Sequence, residues 1–416
     1  MRRQGRRQGR GAGGASANRP AGGYAANAKP AGYAAGGYGY AAKLGDDLDK
    51  KVGGAIAQGR NFLASKRDDA TGSWKKSVGM TAMAVSAIAA SSPREKVADD
   101  AYVTKGLDFL AAAQQANGSI SNNPQFVNYE TSAAVSALSV ARIAKYASVQ
   151  TKARDYLAGS QIAGDENSPA FGGFPYVDED PKQPPDLSNE QFALQALKDA
   201  DLPADAPQWK RSLTFLTRVQ NHSESNTYVA KGEVDGQAVE VVSGNDGGGI
   251  YVSGTGNGEK AGLVKRPDGK YEAKSYGSMT YALLKCLLFA GVPPDDARVK
   301  AAVHWISKHW TLDRNPGFET NPDAAKAGQQ GYFYYVYTMS RALATYEKAT
   351  SKPLAVKDEA GNSHDWRKEM AAKLVGLQKS GGFWVNETAE RWDEGNPVLA
   401  TTYVLQALAI CQGRLP

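Results

Sequence analysis

The chain has 416 residues, 42% of them hydrophobic, and a formal net charge of +6. That length and composition suit one large globular core and exclude a collagen-like or wholly disordered chain. The first 45 residues hold six Arg, two Lys and no acid, so the basicity sits in a tail and the rest of the chain is close to neutral.

The tail, residues 1–45, is rich in Gly and Ala, with an Arg-rich start and Tyr24, Tyr33, Tyr38 and Tyr40 behind it. It has too few large apolar residues to offset the entropy of ordering, which predicts disorder. Arg with interleaved Tyr could engage nucleic acid or an anionic surface, but a solvated tail is the favoured reading because nothing else in the chain is basic. An export signal would need an apolar segment after the Arg residues. None follows, which leaves a cytoplasmic location as the default expectation. No run has the length of a membrane-spanning helix.

From residue 46 onward the chain alternates amphipathic helices with apolar, Ala-rich ones. The amphipathic patterns predict helices over 49–66, 100–115, 149–157, 208–219, 295–309 and 365–377. The apolar runs begin near Val78, Glu130, Asn189, Gly277, Tyr332 and Val398. Helices apolar on every face are buried on every face. Six of them are buried together if they form an inner ring walled by the other six. The last run, LATTYVLQALAIC, is as apolar as the middle ones, whereas a linear solenoid would end on a polar cap. The expected fold is therefore all-α: an (α/α)6 toroid of six helical hairpins occupying 46–416. One connection, about 221–275, lacks helical period and carries turn signals such as Asp235-Gly236 and the segments GGGIYVSGTGNG and KRPDGKYEA. It predicts a β-hairpin-rich insertion folded as a flap over one end.

Cys286 and Cys411 lie inside apolar runs and read as core residues. The four His are scattered, so neither a metal site nor a cofactor is expected.

The punctuation between helices is specific. Lys105-Gly106-Leu107-Asp108-Phe109-Leu110, then Gln114, then Asn117-Gly118-Ser119-Ile120 resembles the QW repeat of triterpene cyclases. Partial copies are Phe62-Leu63 with Gly72-Ser73-Trp74, Phe215-Leu216 with Gln220, and Leu377-Gln378 with Gly382-Phe383-Trp384. From about residue 48 the chain resembles the prenyltransferase and squalene-cyclase superfamily. That resemblance implies a toroid and an aromatic cavity for an isoprenoid. The proton-donating Asp-x-Asp-Asp motif of squalene-hopene cyclases is missing. Its nearest counterpart is Asp178-Glu179-Asp180-Pro181, with the following PKQPPD read as a solvated loop. The zinc set of protein prenyltransferases and the thioester motif of complement-like toroids are missing too.

In a closed helical barrel the site lies where loops enter the inner ring. Glu130 and Glu190, read as equivalent positions of repeats two and three, are candidates for acid–base work, with Glu394, Asp178 and Asp180 beside them. The competing and favoured reading is that such carboxylates stabilise helix N-termini. Tyr129, Tyr276, Tyr281, Tyr332, Tyr335, Trp384, Arg391 and Trp392 are candidates for an aromatic and cation-bearing wall. The functional expectation is a cyclase-like or prenyltransferase-like protein that binds or acts on an isoprenoid. The alternatives are a polysaccharide-active (α/α)6 enzyme, lyase or hydrolase, on a glycan, and a non-catalytic toroid that binds a ligand or protein.

Overall fold

The computed structural model describes residues 44–177, 184–253 and 260–414. Residues 1–43 of the basic tail, and Asp178 and Asp180 of the acidic run, lie outside the described residues.

About half of the chain is helical. The apolar runs form α2 (Val78–Ser91), α4 (Val127–Ala141), α6 (Leu187–Asp199), α8 (Gly277–Phe289), α11 (Tyr332–Thr350) and α13 (Pro397–Cys411). The amphipathic patterns form α1 (Asp46–Ser65), α3 (Ala101–Ala112), α5 (Ala147–Gly159), α7 (Pro207–Arg218), α9 (Ala297–Lys308) and α12 (Trp366–Gly376). Asp100 and Asp365, expected as first helical residues, stand one position outside, as caps, and other helices start the same way. The side chains of Asp100, Asp186, Asp296, Asp365 and Asn396 each accept an N–H from the turn that follows. Such a cap fills one of the four donors a helix start leaves unpaired.

The apolar helices pack in sequence order: α2 on α4, α4 on α6, α6 on α8, α8 on α11 and α11 on α13, with α13 returning onto α2. Nearly every residue of α2 and α13 is buried, because each has apolar neighbours on all sides. The amphipathic helices lie outside them, with α3 against α2 and α4, α5 against α4 and α6, and α1 against α12, α13 and α2.

Glutamines join the amphipathic helices to one another. The Gln114 amide donates to Gly118 O at 3.1 Å and to Val149 O of α5 at 2.9 Å. Gln161, absent from the sequence reading, bonds the carbonyls of Gly172 and Gln208 in the same way. Gln220 bonds Gly247 O and Arg298 O, and Gln378 bonds Gly382 O and Ala55 O of α1. Gln114, Gln161 and Gln220 thus tie the end of one amphipathic helix to the start of the next, and Gln378 ties the end of α12 to the middle of α1. The turn glycine must be glycine. Gly118 has φ +97°, and a Cβ there would lie 2.6 Å from Lys152 O. The indoles serve the same joints: Trp74 Nε1 donates to Leu63 O at 2.7 Å, and Trp384 Nε1 to Leu374 O at 2.8 Å.

Three features differ from expectation. A short helix α10 (Ala324–Gln329) precedes α11, and a two-stranded ribbon of β5 (Val356–Lys357) and β6 (Ser363–His364) precedes α12. The insertion holds β1 (Ala230–Val234), β2 (Gln237–Val241), β3 (Leu263–Lys265) and β4 (Tyr271–Ala273) in one sheet of order β1-β2-β4-β3. Its two hairpins turn at Asp235-Gly236 and at 266–270, as the turn signals indicate. The middle segment, 248–253, forms no hairpin of its own. Its backbone is taken up by neighbours instead, with Ile250 N donating to Val219 O and Leu187 N donating to Tyr251 O.

Candidate functional site

The first turns of all six apolar helices converge on one cavity of about 410 Å³. The walls come from Met80 and Met83 of α2, Tyr129 and Glu130 of α4, Ser188 of α6, Ser278 and Met279 of α8, Tyr334 of α11, and Leu399 and Tyr403 of α13. Loops add Phe126, Tyr176, Tyr276 and Trp392, and the insertion adds Tyr251 and Lys260. The lining is mostly apolar and aromatic, and the volume is that of ordinary small-molecule sites.

The floor is a packed aromatic set. Phe192 of α6 lies edge-on to Tyr129, with centroids 4.7 Å apart, and Tyr337 and Tyr403 lie 5.2 Å apart. Burial holds the phenols of Tyr129, Tyr334 and Tyr403 above the usual tyrosine range. They stay neutral, able to donate a hydrogen bond or present a ring face. Tyr251 donates from its hydroxyl to Asp186 Oδ2 at 2.6 Å. Asp186 is 2% exposed, caps α6 through its other oxygen, and is pushed up in pKa by burial. It closes the PKQPPD run expected to be a solvated loop; at its last residue that run is core.

The candidate carboxylates mostly serve helix starts. Glu130 lines the cavity, yet Oε1 accepts Gly79 N of α2 at 3.0 Å. Its Oε2 accepts the Ser121 hydroxyl and the backbone N–H groups of Asn122 and Asn123. Glu394 also lines the cavity. Its Oε1 takes Tyr334 N of α11 at 2.7 Å, its Oε2 takes the Asn386 amide at 2.9 Å, and burial raises it to about 7. Both reach back to cap the preceding inner helix, where a carboxylate meets unpaired donors and the positive end of the dipole.

Glu190 is not the counterpart of Glu130. Trp74 N, Ile120 N, Gly249 N and Trp384 N donate to the hydroxyls of Thr81, Thr131, Thr280 and Thr401. In the third repeat Phe174 N donates to Glu190 Oε2 at 3.1 Å. Glu190 therefore stands where four of the other apolar helices carry threonine, one register from the expected alignment. It is fully buried away from the cavity wall, and burial pushes it up to about 8. The two carboxylates do not form a facing pair.

Of the aromatic candidates, Tyr129, Tyr276 and Trp392 line the cavity. Tyr332 and Tyr335 turn away, their hydroxyls donating to Leu312 O and Thr311 O at 2.7 Å each. Tyr281 packs beside Tyr335 in the helical core, and Trp384 holds its repeat joint. Arg391 bonds Gln330 at 2.9 Å on the exposed side and stacks over Trp392, with its guanidinium 4.7 Å from the ring. Trp392 sits at the rim in a left-handed conformation, φ +59°, against Gly331, a costly backbone state for a bulky residue. Tyr403, Met83, Tyr176, Tyr251 and Lys260 were not among the candidates; they come together through ring packing and the insertion.

Among the described residues no group of three or more His, Cys, Asp and Glu could hold a metal ion, and no helix is long and apolar enough to cross a membrane. No protein-family model matches the chain, and no curated protein matches its sequence. Solved structures do resemble it. The type II terpene cyclase MstE from Scytonema aligns with a TM-score of 0.51 at 13% identity, covering 88% of this chain and 99% of that one. A protein from Actinoplanes aligns at 0.48 with 14% identity over 86% of this chain and 99% of its own. A glycosidase aligns at 0.45 with 11% identity over 89% and 100%. The fold is terpene cyclase-like.

Proposed function

We propose that residues 46–416 form a single (α/α)6 toroid of six helical hairpins, and that its cavity binds an isoprenoid or a similarly extended apolar ligand. The observation that carries this is the lining: tyrosine rings and methionines from five of the six inner helices, with a tryptophan from a loop and few free polar groups. Aromatic faces and thioethers gain from burying branched hydrocarbon and tolerate many shapes. The return of α13 onto α2 supports the closed ring, and the fold shared with a terpene cyclase supports the ligand class. Against a glycan, Glu130 and Glu190 are apart and tied to backbone donors, so the pair that glycoside hydrolysis needs is missing there.

For proton transfer the best placed group is Glu394, the cavity carboxyl that burial raises to about 7. A group with that pKa exchanges protons at neutral pH.

Calorimetric titration with farnesol against maltohexaose tests the reading. Farnesol is expected to bind one per chain, and Met83→Trp, which fills the cavity, to abolish it. Binding of the sugar alone, or farnesol binding indifferent to Met83→Trp, would overturn the proposal.

A further inference from the structure

The charged groups around the cavity are unequal in what they have left to offer. Both oxygens of Glu130 and both of Glu394 accept hydrogen bonds from the protein. Asp393 accepts from the Asn396 amide at 2.8 Å. Lys260 is the one cationic residue of the lining among the described residues. Its contact is the ring of Tyr251, with Nζ 4.7 Å from the centroid, and no described carboxylate forms an ion pair with it. A ring face offsets only part of an ammonium's desolvation and leaves its three donors available.

That asymmetry has a chemical consequence. A purely hydrocarbon ligand under the insertion would cover Lys260 without answering its charge, which is unfavourable. A ligand with an anionic head would place that head on the ammonium and its apolar body on the tyrosine and methionine walls.

Resting on the reading of the cavity as an isoprenoid site, we propose that its ligand is an amphiphile: an extended hydrocarbon with a single anionic head, such as a carboxylate, received by Lys260 of the insertion. One ammonium matches one negative charge. Among the described residues no second cation lines the cavity for a multiply charged head: Arg391 stacks on Trp392 but is held by Gln330 on the exposed side. The insertion is then the element that selects the head group, while the helical ring selects the body.

The matched pair farnesol and farnesoic acid separates the two levels of the reading. Both share the C15 chain and differ in the head. Calorimetric titration of the full-length protein at low ionic strength is expected to show the acid binding about tenfold tighter than the alcohol, an advantage that salt diminishes. In Lys260→Met, which keeps the stem and removes the charge, the acid is expected to fall to the affinity of the alcohol, with the alcohol unchanged. An unchanged Tm would show that the variant is folded. Equal binding of acid and alcohol by the wild-type protein, or a preference that survives Lys260→Met, would overturn the head-group assignment while leaving the apolar cavity standing. Binding of neither ligand would overturn the cavity reading and this inference with it.

Discussion

Glu190 is the sharpest place to test the energetics of the buried helices. It replaces the threonine of four other apolar helices, its Oε2 takes Phe174 N, and Oε1 makes no hydrogen bond of ordinary geometry, with the Ser212 hydroxyl alongside. Burial moves its pKa from the usual 4.5 to about 8. A carboxyl whose folded pKa is raised contributes fully below its unfolded value, and stability is lost as pH climbs through the folded one. The loss therefore runs from about pH 4.5 to about pH 8. At 1.36 kcal/mol per pH unit, and with both ends rounded by partial titration, stability should fall by roughly 3 kcal/mol between pH 5 and pH 8 from this group alone. Glu190→Gln removes the charge, keeps the shape, and can present its carbonyl oxygen to Phe174 N and its amide to Ser212. Urea unfolding followed by circular dichroism, for both proteins at pH 5, 6, 7 and 8, isolates the effect because every other titrating group is shared. The two proteins are expected to match at pH 5, and the variant to exceed the wild type by roughly 3 kcal/mol at pH 8. Parallel pH profiles would refute the account of Glu190 as a buried acid kept neutral.

Lys285 presents the opposite sign. Fully buried and bonded to Gln191, it is lowered by burial to about 7, so wild-type stability should rise as pH goes from about 7 to 10.5, and the same unfolding series on Lys285→Met should lack that rise. Gly331→Ala puts a Cβ at φ +65°, 3.0 Å from the Trp392 ring; a loss of roughly 1–2 kcal/mol is expected, with a change in the fluorescence of the rim tryptophan. Gln378→Ala removes the bonds to Gly382 O and Ala55 O that join the last outer helix to the first, and hydrogen exchange should show α1 and α12 opening together at a cost of roughly 1–3 kcal/mol. Glu394→Gln should keep the α11 cap and the fold, and abolish the pH dependence near 7 of any turnover found with a prenyl substrate.

The helices were legible because burial imposes a period that a sequence must obey. The run MTAMAVSAIAAS has no polar face, so no surface helix could carry it, and α2 is buried as that implies. Three joints between helices were legible through Gln114, Gln220 and Gln378, since an amide at a helix end, a turn glycine and an aromatic form a local unit. Gln161 escaped notice because Phe174 stands far behind it, after the long turn 162–173. The register of Glu190 was misread for a related reason: a threonine-to-glutamate change alters the chemistry while leaving the hydrogen bond in place, and only the donor partner reveals the correspondence.

By itself, then, the sequence determined a predominantly helical chain of alternating polar and apolar helices, together with the joints between them, because those depend on neighbours a few residues to a few tens of residues apart. Which side chains share a cavity was decided by tertiary structure alone. Tyr129, Tyr251, Tyr334 and Tyr403 are separated by as much as two-thirds of the chain and meet only because six helix starts and the insertion converge on one space. Tyr281 and Tyr335, equally aromatic, are aimed elsewhere by less than a turn of helix rotation. Direction about a helix axis follows from how helices pack against one another, and nothing in the local spacing of residues contains it.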